Sequence, residues 1–258
     1  MPYLVQSNSP DVWAKRARRV LIVGSPNSGK TTSLTTWPKP IAIQSYPGEK
    51  GTTSIPNGEG IQSFVWDHPD PEKGVDWAGV VRETRQLTVE LLAGKHGTIQ
   101  TFAGDGLHKL HSVFLAEVCG GANMRGEDFE PRLYGPAHTK FFQYIDLVTR
   151  SNVPNVVFTV WDGHEKDDPD ERGSSPSRHV FPELPGPTAP KRMMGEFAVG
   201  LYATREGSGP ATQFMWLTQP TGKVWGAGLK MPAEIAKRVP LKVKQDWTVL
   251  EKILIPGV

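Results

Sequence analysis

Gly24-Ser25-Pro26-Asn27-Ser28-Gly29-Lys30-Thr31 matches the pattern GxxxxGK[ST] letter for letter. The flanks of this stretch decide how it is read. Arg19-Val20-Leu21-Ile22-Val23 is a β-branched and aliphatic run, the composition of a buried strand. Thr31-Thr32-Ser33-Leu34-Thr35-Thr36-Trp37 can start a helix, and Pro38 stops it. Strand, glycine loop and helix in that order let the backbone turn its N–H groups around an anion, and the helix N-terminus adds partial positive charge. The motif therefore predicts a cradle for a chain of phosphates.

Within that reading Gly24, Ser25, Pro26, Asn27, Ser28, Gly29, Lys30, Thr31 and Thr32 are the expected nucleotide contacts. Lys30 would neutralise the β/γ-phosphate oxygens and the Thr31 hydroxyl would ligate Mg²⁺. A triphosphatase also needs a carboxylate for the metal and a group that orients the attacking water. Asp105 closes the strand-like run Ile99 to Gly104 and is the candidate for the first; the alternative is an Asp-Gly turn. Glu49 stands just past a second strand, Ile41 to Tyr46, and is the candidate base; the alternative is a solvated turn residue. Asp162 and His164 follow the run Val156 to Trp161, where a polar side chain can sense the terminal phosphate.

Composition narrows the classes. The chain has 258 residues, long enough for one large domain with its own core. Lys and Arg number 29 against 27 Asp and Glu, a net charge of +2, so any nucleic-acid contact must come from local patches. Cys119 is the sole cysteine, which excludes an internal disulfide and a cysteine-rich zinc site. No apolar stretch approaches the roughly 20 residues of a membrane span, and Met1 to Pro10 lacks a secretory pattern. The expectation is a soluble, cytoplasmic protein without a membrane partner.

Along the chain, residues 1–18 are a lead-in ending in Lys15, Arg16, Arg18 and Arg19, read either as a solvated approach or as a phosphate-backbone contact. Ile61 to Trp66 is a third strand, and Asp76 to Leu92 carries the apolar stripe of a helix. Helices are expected from Leu107 to Val118 and around Phe141 to Val148, with Gly120 to Pro136 as a loop between them. Residues 162–190 lack periodicity; their front half is acidic and their back half rich in proline, serine and glycine. Phe197 to Ala203 and Ala211 to Leu217 read as a hairpin turning at Arg205 to Pro210, and Gly222 to Lys230 as a further short strand or turn. Strands alternating with helices, phosphate loop first, predict an α/β fold: a mostly parallel central sheet, helices on both faces, and a C-terminal β-hairpin extension. The expected division is a lead-in at 1–18, a core at 19–231 and a basic tail at 232–258.

Gly24 to Thr31, the turn Pro47 to Gly51, Asp105-Gly106-Leu107, Tyr134-Gly135 before a helix, and Val156 to His164 before a long loop occur here in one order. Together they resemble the compact RecA-like P-loop ATPases encoded by bacteriophages, including those grouped with single-strand annealing and recombination proteins. The resemblance spans roughly residues 18 to 230. It implies a RecA-like core with ATP and Mg²⁺ bound between subunits that assemble head to tail into a filament or ring. It also implies single-stranded DNA held by loops in the assembly's interior. It matches Glu49 to the catalytic glutamate, Asp105 to the metal-shell aspartate and His164 to the sensor position. Arg125, Arg132, Arg172 and Arg178 then become candidate DNA-phosphate contacts. Lys191 and Arg192 become a candidate finger reaching a neighbour's γ-phosphate, the alternative being a solvated helix start.

Two other classes stay in view. One is a DNA-independent ATPase serving assembly or genome packaging. The other is a small-molecule kinase, which would need a basic lid over the phosphates where this chain has the acidic run Asp167 to Glu171.

Overall fold

The computed structural model describes residues 10–55, 58–66, 74–164, 180–186, 188–219, 221 and 233–255. The strand predicted before the glycine loop is β1 (Arg19–Gly24), buried along its whole length. The loop leads into α2 (Lys30–Ser33), continued by a 3₁₀ turn over Leu34–Thr36, which ends ahead of Pro38 as expected. A short helix, α1 (Pro10–Ala17), precedes β1. β2 (Ile41–Ser45) and β3 (Ile61–Phe64) follow, then α3 (Trp77–Leu92). The Asp76 carboxylate caps α3 by accepting from the Gly79 N–H at 3.0 Å.

β4 (Thr101–Asp105) and α4 (Leu107–Cys119) come next. The stretch read as a loop, Gly120 to Pro136, is partly helical. It holds α5 (Ala122–Arg125), a 3₁₀ turn over Pro131–Leu133, and the start of α6 (Tyr134–Thr149). Positive-φ glycines at Gly120, Gly121 and Gly126 delimit α5, which is why the sequence looked like a loop. β5 (Asn155–His164) runs past the expected end at Trp161, because β6 (Val180–Pro182) pairs with residues 162–164. α7 (Ala189–Glu196) leads to β7 (Val199–Glu206) and β8 (Gln213–Leu217), the expected hairpin, with Arg205 inside a strand rather than at the turn. The segment 232–258 contributes α8 (Ala233–Ala236), β9 (Lys242–Lys244) and α9 (Trp247–Leu254). The expected short element at Gly222 to Lys230 lies outside the described residues.

The strand order is β3-β2-β4-β5-β1-β7-β8-β9. From β3 through β7 every neighbouring pair is parallel; β8 and β9 add antiparallel edges. Parallel strands covered on both faces need apolar residues at successive positions, and β1 supplies them. Its Leu21 and Val23 face the core built on α3, α4, α6 and α7, while Val20 and Ile22 face the core formed with α1, α9, Leu34 and Trp37. The second core is closed by Trp37 and Trp247, whose rings stack at 3.9 Å and 10°. No helix among the described residues is long and apolar enough to cross a membrane.

Two arginines of the basic lead-in are used internally. Arg19 is buried and its guanidinium donates to the carbonyls of Thr149, Ser151, Val153 and Pro154. Arg18 pairs with Glu251 at 3.1 Å.

Candidate nucleotide site

Gly24 and Asp105 are the last residues of β1 and β4, Thr159 stands mid-way along β5 beside Asp105, and Glu49 lies just beyond β2. Glu49, Asp105 and Thr159 line a cleft of about 610 Å³ together with Lys30 and Thr31. The loop takes its course from two left-handed residues, Asn27 at φ 62° and Gly29 at φ 86°. Gly24 has no room for a side chain: a Cβ would lie 2.7 Å from the Ala203 carbonyl and 2.8 Å from Ser28 Oγ. Ser28 Oγ is buried with no hydrogen-bond partner among the described residues, an orphan polar atom inside the cradle.

Lys30 is only 6% exposed, and its Nζ donates to the carbonyls of Gly24 (2.6 Å) and Ser25 (2.8 Å). Burial pulls its pKa from 10.5 down to about 8, against the upward pull of Asp162, Asp105 and Glu49. Asp105 is 1% exposed and is held by three hydroxyls. Thr31 Oγ1 donates at 3.1 Å, Thr52 Oγ1 at 3.0 Å and Thr159 Oγ1 at 2.5 Å. Burial pushes its pKa up and nearby Glu49 adds to this, while the threonine hydroxyls work the other way.

Glu49 has one oxygen fixed: Oε1 accepts from the N–H groups of Lys50 (3.0 Å) and Gly51 (2.8 Å). Its Oε2 sits 3.7 Å from His108 Nε2. Burial, with Lys109 and Lys30, takes the His108 pKa down to about 3, so the ring is neutral and the approach is not an ion pair. His108 instead stacks on Trp161 at 4.4 Å and 25°. The arrangement joins a cation, an anion cradle, a carboxylate beside a threonine hydroxyl, and a second carboxylate with a free oxygen. That set can bind a polyphosphate and activate water beside it.

A family model described as an AAA domain matches residues 16–226. The chain belongs to the AAA domain family. It is therefore an AAA-type P-loop ATPase domain. Among solved structures it is similar to a KaiC-like protein from the hyperthermophilic archaeon Pyrococcus horikoshii OT3, with 9% identity and a TM-score of 0.40, covering 78% of this chain and 79% of that one. No curated protein sequence matches the chain.

Not every expected residue of this AAA domain reaches the cleft. Asp162 accepts from Ser25 Oγ and from the Tyr202 hydroxyl, both at 2.9 Å, and so holds the loop rather than lining the cavity. His164 is the last residue of β5. Arg125 is paired with Glu127 at 2.7 Å, and Arg132 with Glu130; neither lines the cleft. Arg172 and Arg178 lie outside the described residues. Lys191 stands over the Phe181 ring, and Arg192 lies 3.9 Å from the Phe142 ring while pairing with Glu196 at 3.4 Å.

Sequence reading missed Thr52, Thr159, His108, Arg205, Phe214 and Gln245. The first two are single hydroxyls with no spacing signal, and only the pairing of β4 with β5 brings Thr159 to Asp105. Arg205 and Phe214, facing partners on β7 and β8, both line the cleft. Their only sequence signal was the hairpin itself.

Proposed function

We propose that this AAA domain binds ATP with Mg²⁺ in the cleft and hydrolyses it. The observation that carries the reading is the meeting of Thr31 with Asp105 at the end of the cleft that Glu49 and Lys30 share. Thr31 donates its hydroxyl hydrogen bond to the carboxylate, which leaves its oxygen lone pairs for a cation. Those hard oxygen donors suit Mg²⁺, and among the described residues no group of three or more His, Cys, Asp or Glu forms a protein-only metal cage. Thr31 and Asp105 would hold the ion, which when bound would neutralise phosphate charge.

Lys30 trades its two carbonyl acceptors for phosphate oxygens, a stronger, charge-assisted pairing. Glu49, fixed through Oε1, presents Oε2 as the acceptor for a proton of the attacking water. Thr159 keeps Asp105 in place. Lys30→Ala is expected to lose nucleotide binding with the far-UV dichroism unchanged. Glu49→Gln should still bind ATP but turn over at least a hundredfold more slowly. Turnover retained in Lys30→Ala would overturn the assignment.

The partner proposed for this ATPase is single-stranded DNA, handled in recombination or annealing by head-to-tail assemblies with ATP at subunit interfaces. Its support is the resemblance of ordered segments to phage RecA-like ATPases. Arg125 and Arg132 would have to exchange their exposed glutamate partners for DNA phosphates, a low-cost exchange for surface pairs. Lys191 and Arg192 would serve a neighbouring subunit. Single-stranded DNA should stimulate turnover and bind with a steep loss of affinity as salt rises. Turnover indifferent to DNA would favour the DNA-independent assembly or genome-packaging reading.

A further inference from the structure

A second cavity of about 630 Å³ adjoins the phosphate cleft and shares Gly29, Thr32 and Phe214 with it. The acidic end, Glu49 and Asp105, belongs to the first cavity alone. A nucleotide whose terminal phosphate lay at that end could extend past Thr32 into the second cavity. The Phe214 side chain stands where the two spaces meet and is 40% exposed, unusual for a phenylalanine on a strand beside a core.

The second cavity also contains a fixed acceptor. Gln245 is 7% exposed, and its Nε2 donates to the carbonyls of Ser28 (2.8 Å), Met215 (3.1 Å) and Thr204 (3.5 Å). All three neighbours are acceptors, so the amide cannot turn over without setting oxygen against oxygen. Oε1 is thereby locked as an acceptor, and it is buried with no hydrogen-bond partner among the described residues. It lies beside Gly29, where a Cβ would come within 2.8 Å of Oε1 and 2.7 Å of the Phe214 ring. A buried, unpaired amide oxygen costs free energy unless a ligand donor meets it.

We propose that the second cavity takes the nucleoside half of the nucleotide, with the base against Phe214 and its exocyclic amine donating to Gln245 Oε1, so that a base carrying such an amine, as adenine does, is preferred over one without it. This rests on the phosphate reading of the neighbouring cleft and adds the part of the site that reads the base. A ring lacking the amine leaves Oε1 unpaired.

The test uses diphosphates, which are not turned over. Calorimetry would compare ADP, purine riboside 5′-diphosphate (which lacks the amine) and inorganic pyrophosphate on the full chain and on Phe214→Ala. ADP should bind about tenfold more tightly than the amine-free analogue. Phe214→Ala should weaken ADP about tenfold more than it weakens pyrophosphate. Equal binding of ADP and the analogue, or an ADP affinity indifferent to Phe214→Ala, would overturn the inference while pyrophosphate binding keeps the phosphate reading. Failure of both pyrophosphate and ADP to bind would overturn the two together.

Discussion

Thr31 Oγ1 stands 3.1 Å from both carboxylate oxygens of Asp105, although the strands that deliver them do not touch. β5 lies between β1 and β4 and pairs in parallel with each. The gap is closed by Thr159 of that middle strand, which donates to Asp105 and accepts from the Gly106 N–H at 3.0 Å.

Asp105→Asn should therefore separate activity from stability. The carboxyl is buried and its folded pKa is raised, so below its unfolded value the group carries no penalty, and stability falls as pH rises toward the folded value. At neutral pH the fold bears the cost of the charge. The amide variant is expected to melt at the same temperature or higher in metal-free buffer, and to lose about 10- to 100-fold in Mg²⁺ affinity. A large drop in melting temperature would contradict this.

Nucleotide affinity should depend on Lys30 above neutrality. Its folded pKa sits near 8 against an ordinary 10.5, so between those values the free protein holds the amine neutral while the unfolded chain holds it charged. Stability conferred by this group rises across that interval. Phosphate binding needs the charged form, so affinity should decline by up to about tenfold per pH unit above 8, with proton uptake on binding. Calorimetry in buffers of different ionisation enthalpy reads that proton directly. An affinity flat from pH 7 to 9.5 would refute it.

Gly104→Ala should destabilise although it adds only one methyl group. A Cβ at Gly104 would collide with the Phe158 ring and with the Tyr46 hydroxyl, which is bonded to Tyr144 at 3.0 Å. Overpacking of this kind costs about 1–3 kcal/mol. The midpoint of urea unfolding is the measurement, and an unchanged midpoint would show that the pocket yields freely.

Trp247→Ala should be the most damaging of these changes. The ring is fully buried and stacked on Trp37; the backbone N–H of Trp247, which donates to Thr36 Oγ1 at 3.0 Å, is kept in the alanine variant, so the loss is that of the ring. Removal of a buried aromatic of this size costs about 3–5 kcal/mol. Because Trp37 directly follows the loop helix, ADP affinity should fall as well. Loss of stability with undiminished ADP affinity would uncouple the two.

The fold was legible where periodicity and punctuation agreed. β1, the glycine loop and α3 follow from aliphatic runs, left-handed positions and a capping aspartate. Asp105 was legible as a candidate because it ends a strand, and Glu49 because it lies just past one, since ligands meet strand ends in parallel sheets. The weak aliphatic character before Asp105 now has a reason: Ala103 packs in one core, and Gly104 makes space for Phe158 and Tyr46 in the other. Thr52, Thr159 and Gln245 were not legible, because each acts through a partner 53, 54 and 217 residues away in the chain. α5 was hidden by the glycines around it.

The family match stops at residue 226, yet Gln245 still holds the Ser28 carbonyl and Trp247 still braces Trp37. Truncating a clone at the boundary of sequence similarity would thus strip a wall from the nucleotide chamber and the brace from the helix beneath it. Residues 233–255 are better regarded as a clasp fastened across the loop than as an appendage, and engineered fusions should leave them in place.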